Sequence, residues 1–245
     1  MRHGLVRLGL TTSGGAGALE VASRTDRGVS ARANALTLSS PLAGPALLRR
    51  LNAIDPAFFF TAATPIPEGF RVRRAVRRTY RYFEPAVARA NSPAIPAAAL
   101  FAGTIDVRSF GRALPTEVPT WREVESVTVR PLEKGSVIEV RAPSFVWGMV
   151  RKIVGALRAV DAGRLPIPRL RSALEGRTRL MLPLAEPEPL VLWEVEYDVA
   201  WSDRWEGPTR VQLALRQRDR AGWWARGRVL ESIEGASRVG GPARD

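Results

Sequence analysis

Cysteine is missing altogether from these 245 residues, and histidine occurs once, at His3. Disulfides, thiolate nucleophiles, zinc clusters and histidine-centred triads are therefore excluded on inventory alone. Lysine is nearly as scarce: of 37 basic residues only Lys134 and Lys152 are lysine, and the rest are arginine. No apolar run reaches the roughly 20 residues that a membrane-spanning helix needs. The opening MRHGLVRLGLTTSGGAG has neither the long apolar core nor the small-residue cleavage site of a secretory signal. The expectation is a cytoplasmic protein with no membrane attachment, whose chemistry rests on carboxylates, tyrosines, hydroxyls and cations.

What is present points toward a polyanionic partner. The formal net charge is +13, and cations that neutralise phosphates gain from counterion release, which makes nucleic acid the leading class. Arginine suits that partner, because its planar fork contacts phosphate in two places and stacks on bases. A GC-rich genome would account for arginine over lysine, but not for 37 basic residues against 24 acidic ones. With 45% hydrophobic content the chain can bury a full core, as one large domain or two modest ones in contact.

Periodicity alternates between strand and helix. ARANALTLSS and AFFFTAATPI read as strands on either side of a short helix, GPALLRRLNA, and RRTYRYFEPAV as an aromatic-rich strand. Residues 121–142 carry β-rich runs flanking EKGS, a hairpin signature with Gly135 in the turn. Val146, Met149, Val150, Ile153, Val154, Leu157 and Val160 then recur at helical spacing. Pro166 and Pro168 frame a turn into a short helix, IPRLRSALEG, closed by Gly176, and PLVLWEVEYDVA is a late strand. From Trp201 a basic, helix-like tail runs into a Gly/Pro/Arg end.

Three polar groups stand out: Arg24-Thr25-Asp26, Tyr80-Arg81-Tyr82 and Arg151-Lys152. Singly, each has an ordinary structural explanation. RTDRG suits a solvated turn with Asp26 bonding its own backbone; RRTYRYFE suits a surface strand with one aromatic face inward; Arg151-Lys152 suits the exposed side of an amphipathic helix. Leu190 and Leu192 suit a core.

Taken together, the segments SRTDRGVSA, LNAIDP, FRVRRAVRRTYRYF, FAGTIDVRSFG, SFVWGMVRKIVGAL and EPLVLWEVEY resemble, in order, the tRNA pseudouridine synthase A family, over about residues 22–198. Six separated elements in sequence are specific where a lone RTD is not. The resemblance implies an α+β fold: two similar halves with mixed, mainly antiparallel sheets flanked by helices, forming a basic RNA-binding cleft. It implies isomerisation of uridine to pseudouridine in the anticodon arm of tRNA, at positions 38 to 40, by a homodimer that uses one Asp and neither cofactor nor metal. By the same resemblance Asp26 is the nucleophile, attacking either the uracil ring or the ribose anomeric carbon. Arg151 is its basic partner, Arg24 helps hold the flipped-out nucleotide, and Tyr80 stacks on the uracil and offers a hydroxyl for proton transfer. Phe145, Leu190 and Leu192 are available as apolar walls.

On this reading residues 1–75 form the half with the catalytic Asp loop, 76–200 the half with the active-site Tyr and Arg, and 201–245 a basic helical extension. The family's opening strand, with its YDGT-like element, has no counterpart ahead of Ser23, so a strand is expected to be missing there. Lys152, Ile105 and Pro189 stand where Asn, His and Gly are common in the family. The competing expectation is a non-catalytic RNA-binding protein or RNA chaperone derived from this fold.

Overall fold

A computed structural model of the protein describes residues 19–54, 58–84, 91–112, 119–133, 135–204, 213–214 and 217–218. The chain divides into two compact units, one comprising Glu20–Thr37 and Gly69–Val199, the other Leu38–Glu68 together with Leu19 and the stretch from Ala200.

The first unit is built on RRTYRYFE, which forms strand β5, Arg77–Glu84. Its period-2 pattern buries Arg78, Tyr80 and Tyr82 on one face and puts Arg77, Arg81 and Phe83 on the other. Around it lies a five-stranded sheet, in which β2 (Ser30–Ala31) is followed by β10 (Leu190–Glu196), β5, β9 (Ser136–Ala142) and β8 (Ser126–Pro131). The β2–β10 pair is parallel and the other pairs are antiparallel. Tyr80 stands opposite Leu192 on one neighbour and Val140 on the other, so an apolar patch crosses three strands on that face. The β8–β9 hairpin turns where expected, with Gly135 at φ 84° and the Leu132 N–H bonded to its carbonyl at 3.0 Å. Two small antiparallel pairs complete the unit: β1 (Glu20–Val21) with β3 (Leu36–Thr37), and β6 (Gly103–Asp106) with β7 (Trp121–Val124).

Three helices belong to this unit: α2 (Ala94–Ala99), α3 (Met149–Asp161) and α4 (Ile167–Leu174). The expected apolar stripe is real, since Met149, Val150, Ile153, Val154, Leu157 and Val160 are all buried in one core with Tyr80, Tyr82 and Leu192. Each such side chain contributes on the order of 1.5–3 kcal/mol. Val146, however, lies ahead of the helix. Gly148 precedes its first turn at φ 76°, and a Cβ there would meet Arg112 Cγ and Cδ at 3.0 Å. That left-handed residue sets the start of α3.

The second unit holds α1 (Gly44–Asn52), with Pro in its first turn, and a two-residue pair, β4 (Ala62–Ala63) with β11 (Asp203–Arg204). Leu51 packs with Leu19, Leu38, Leu47 and Phe60. The Asn52 amide closes the turn after α1 by bonding both the carbonyl and the N–H of Phe60, at 3.0 and 2.8 Å.

The fold is α+β with mixed sheets and, among the described residues, four helices. Two expected strands are much shorter than their sequence windows. Only Leu36–Thr37 and Ala62–Ala63 pair as strands beyond the edge residues Ser30–Ala31. In the first window Asn34 uses its amide on the Ser23 carbonyl and on the Ala35 N–H, which diverts the backbone from a ladder. The expected missing opening strand falls on residues 1–18, and most of the helix-like tail falls beyond 204; these lie outside the described residues. No helix among the described residues is long and apolar enough to cross a membrane.

Candidate active site

The Asp26 loop is tied at both ends. Its entry is β1, paired with β3, and its exit is β2, which joins the central sheet beside β10. Between them the Val29 N–H bonds the Asp26 carbonyl at 3.1 Å across a four-residue turn. Gly28, third in that turn, has φ 92°, and a Cβ on it would lie 2.9 Å from Pro187 Cγ. Only glycine meets both demands. Asn34 pins the Ser23 carbonyl at 2.9 Å from the other side.

The Asp26 carboxylate is held at both oxygens. Arg151, from the first turn of α3, donates Nη1–H to Oδ2 at 2.7 Å, and Trp147, two residues before that helix, donates its indole N–H to Oδ1 at 2.7 Å. Arg151 is itself fixed, because its Nε–H bonds the Ala185 carbonyl at 2.5 Å while the Ala185 N–H bonds the Arg151 carbonyl at 3.3 Å. The 183–185 stretch can lie this close to α3 because position 155 is glycine: a Cβ there would sit 2.2 Å from the Pro183 carbonyl oxygen. Charge-assisted bonds at both oxygens fix the rotation of the carboxylate. The side chains are 23% exposed for Asp26 and 11% for Arg151, so the pair is partly shielded from water but open on one side.

Tyr80 comes from the middle of β5 and is buried, its ring edge-on to Phe145 with centroids 5.0 Å apart. Burial pushes its hydroxyl above the ordinary phenol range, while a Ser23 hydrogen bond and the Arg78 charge pull the other way. Arg78 is buried and, among the described residues, has no carboxylate partner. It donates to Ser23 Oγ at 2.9 Å and to the carbonyls of Ala22 at 3.1 Å, Arg73 at 2.7 Å and Pro143. Its burial lowers its pKa from the usual guanidinium value. This cation staples the Asp26 loop to β5 and to the end of β9 through neutral acceptors.

These groups share the wall of one cavity of about 800 Å³, whose lining includes Arg24, Asp26, Tyr80, Phe145, Trp147 and Arg151. That volume falls within the span of about 300–1,000 Å³ usual for small-molecule clefts. Arg73 and Arg78 also line it, and Asp26 is the only carboxylate among the lining residues. The four sequence-predicted residues are thus brought together. Arg24 is exposed, and among the described residues it pairs with no carboxylate. Of the apolar walls, Phe145 and Leu190 line the cavity, whereas Leu192 is wholly buried and does not.

Sequence reasoning passed over Trp147, Arg78 and Ser23. All three stood inside quoted segments, but nothing in a linear pattern says that an indole three residues after Ser144 will reach back to residue 26. Arg158, on α3, is 33% exposed. Yet it joins a separate network, bonding Glu84 and Glu186 at 2.7 Å each and the Tyr82 hydroxyl at 3.0 Å. Burial raises Tyr82 to about 12, and the Arg158 hydrogen bond holds Glu186 down at about 2. Among the described residues no group of three or more His, Cys, Asp or Glu side chains is placed to hold a metal ion.

Comparison with known proteins bears on this arrangement. A family model described as tRNA pseudouridine synthase matches residues 97–198, the part of the chain that carries α3 and β10. The tRNA pseudouridine synthase A of Thermococcus kodakarensis is 37% identical over 196 residues, 79% of this chain and 73% of its own. That of Methanothrix thermoacetophila is 35% identical over 220 residues, 88% of this chain and 80% of its own. That of Pyrococcus abyssi is 33% identical over 180 residues, 72% and 68% respectively. The chain belongs to the tRNA pseudouridine synthase A family, a family of isomerases.

Proposed function

We propose that the protein converts uridine to pseudouridine in the anticodon arm of tRNA, at positions 38 to 40, with Asp26 as the nucleophile and no cofactor. The observation that carries this reading is the Asp26 carboxylate, held by Arg151 and Trp147 at the wall of a cavity that also contains Tyr80. A nucleophile in such a reaction must be aimed, and a guanidinium with an indole N–H fixes the carboxylate at both oxygens without a general base. The cavity has room for an extruded nucleotide, and taking the base out of the RNA stack is what chemistry on that base requires.

In this scheme Asp26 attacks the uracil ring or the ribose anomeric carbon, the glycosidic bond breaks, and the detached uracil turns and rejoins through carbon. Tyr80 and Phe145 confine the ring while it turns. Because burial raises the Tyr80 pKa, its hydroxyl stays protonated at neutral pH. It therefore acts first as a stacking wall and hydrogen-bond donor, and it accepts the proton leaving carbon only as its own proton passes to a neighbour such as Ser23. Arg24, exposed in the cavity lining, holds the phosphate or ribose of the flipped nucleotide.

Two similar halves, 1–75 and 76–200, would form the RNA-binding cleft, with the 201–245 extension as a further basic surface. A homodimer acting in the cytoplasm completes the proposal. The test is incubation with unmodified tRNA transcripts and mapping of pseudouridine. Product at 38, 39 or 40 supports the proposal, product elsewhere corrects the position, and absence of product with a folded protein overturns it.

A further inference from the structure

Beside the cavity, outside its lining, Arg112, Lys152 and Arg179 gather, with no acidic partner among the described residues. Arg112 lies over the Trp147 ring, 4.3 Å from its centroid, and its backbone N–H bonds the Trp147 carbonyl at 2.8 Å. Its side chain passes so close to Gly148 that a Cβ there would meet Cγ and Cδ at 3.0 Å. Lys152, one turn into α3, points back to the same place and donates its ammonium to the Gly111 carbonyl at 3.0 Å and the Ser109 carbonyl at 3.4 Å. Arg179 is brought to the same place by its neighbour Leu180, whose N–H bonds the Ser109 hydroxyl at 2.9 Å, on the residue whose carbonyl accepts from Lys152; burial, with the charges of Arg112 and Arg179, lowers the Lys152 pKa. Among the described residues none of the three has a carboxylate within ion-pair distance, and the nearby Asp26 is already engaged by Arg151 and Trp147.

Like charges crowded in this way repel, and burial of the ammonium adds to the cost. By contrast, Arg77 is neutralised by Glu125 and Glu196, and Arg158 by Glu84 and Glu186. An uncompensated cluster becomes favourable when an anion fills it. Stacking on Trp147 also holds the planar Arg112 guanidinium in one orientation before any ligand arrives, which reduces the entropy lost on binding.

We propose that Arg112, Lys152 and Arg179 form a subsite for a backbone phosphate of the RNA strand that delivers the target uridine into the Asp26 cavity. The subsite rests on the reading of the protein as a tRNA-modifying enzyme. It assigns a place to the strand next to the flipped nucleotide, on the Trp147 side of the cavity. Lys152 is the deep anchor and the two arginines are the outer arms.

The test is binding and turnover of unmodified tRNA transcript, at several salt concentrations, by wild type, Arg112→Gln, Arg179→Gln and Lys152→Met. The arginines are exposed, so their replacement leaves the core intact, and Met keeps the lysine stem. Each variant is expected to weaken binding roughly uniformly across tRNA sequences and to reduce the slope of log affinity against log salt, the three reductions together not exceeding the about 0.7–0.9 that one phosphate contributes. The loss should fall on KM more than on kcat. Wild-type slope and KM in all three variants overturn the subsite even if pseudouridine forms normally. If wild type makes no pseudouridine but the slopes still fall, the subsite stands and the enzymatic reading fails.

Discussion

Replacing Trp147 with Phe keeps an aromatic ring beneath Arg112 but deletes the N–H that holds Asp26 Oδ1. A hydrogen bond to a charged group is worth about 1.5–3 kcal/mol. Trp147 is 53% exposed, which places this one at the lower end, and Arg151 still holds Oδ2. With about 1.4 kcal/mol per tenfold in rate, single-turnover pseudouridine formation should slow by about 10- to 20-fold. Affinity for tRNA should change little, because the ring and its arginine remain. Trp147→Ala removes the ring as well and should lose both rate and binding. The measurement is a rapid-quench time course on an unmodified transcript at saturating enzyme, with affinity measured in parallel. A Phe variant as fast as wild type beside a slow Ala variant would show that the ring matters and the hydrogen bond does not, and would refute the two-point grip on the carboxylate.

Four further outcomes follow from the same geometry. Gly155→Ala puts a Cβ 2.2 Å from the Pro183 carbonyl oxygen; overpacking of this kind costs about 1–3 kcal/mol, so a thermal melt should drop by several degrees, and an unchanged melt would mean the 183–185 stretch yields freely. Because that stretch also holds Arg151 through Ala185, the same variant should slow catalysis. Tyr80→Phe should bind tRNA normally and form product slowly, whereas Tyr80→Ala should also weaken binding by about 1–3 kcal/mol; full activity in the Phe variant removes any proton-transfer role. The Glu186 carboxyl is held down at about 2 by Arg158, so its contribution to stability is complete above about 4.5 and disappears as pH falls through about 2. It is 64% exposed, which limits the effect to under about 1 kcal/mol; acid titration should show a small difference between wild type and Glu186→Gln at pH 6 that closes by pH 2, and a constant difference would contradict the pairing.

Much of this architecture is legible in the sequence where period and burial coincide. The stripe from Met149 to Val160 becomes one buried helix face, RRTYRYFE becomes the central strand, and Gly135 turns the hairpin where EKGS predicts it. Strand lengths in the 31–40 and 57–66 windows are not legible, because side chains such as Asn34 compete for backbone groups in ways that hydrophobic patterning does not encode. The β6–β7 pair is hidden for a different reason: its strands are only four residues each and face each other across a long connection. At the site, the motifs single out Asp26, Tyr80, Arg24 and Arg151 by residue type. Trp147 and Arg78 escape notice because their importance lies in what they touch. An indole or an arginine in a linear string looks like core or surface until the fold brings it to a carboxylate or a hydroxyl.

The most direct test of the account is Asp26→Asn. The amide keeps the shape of the carboxylate and its contact with the Trp147 N–H, but it is a poor nucleophile. The account predicts affinity for unmodified tRNA within about twofold of wild type and no pseudouridine after prolonged incubation. Pseudouridine formed by Asp26→Asn at the wild-type rate would contradict it.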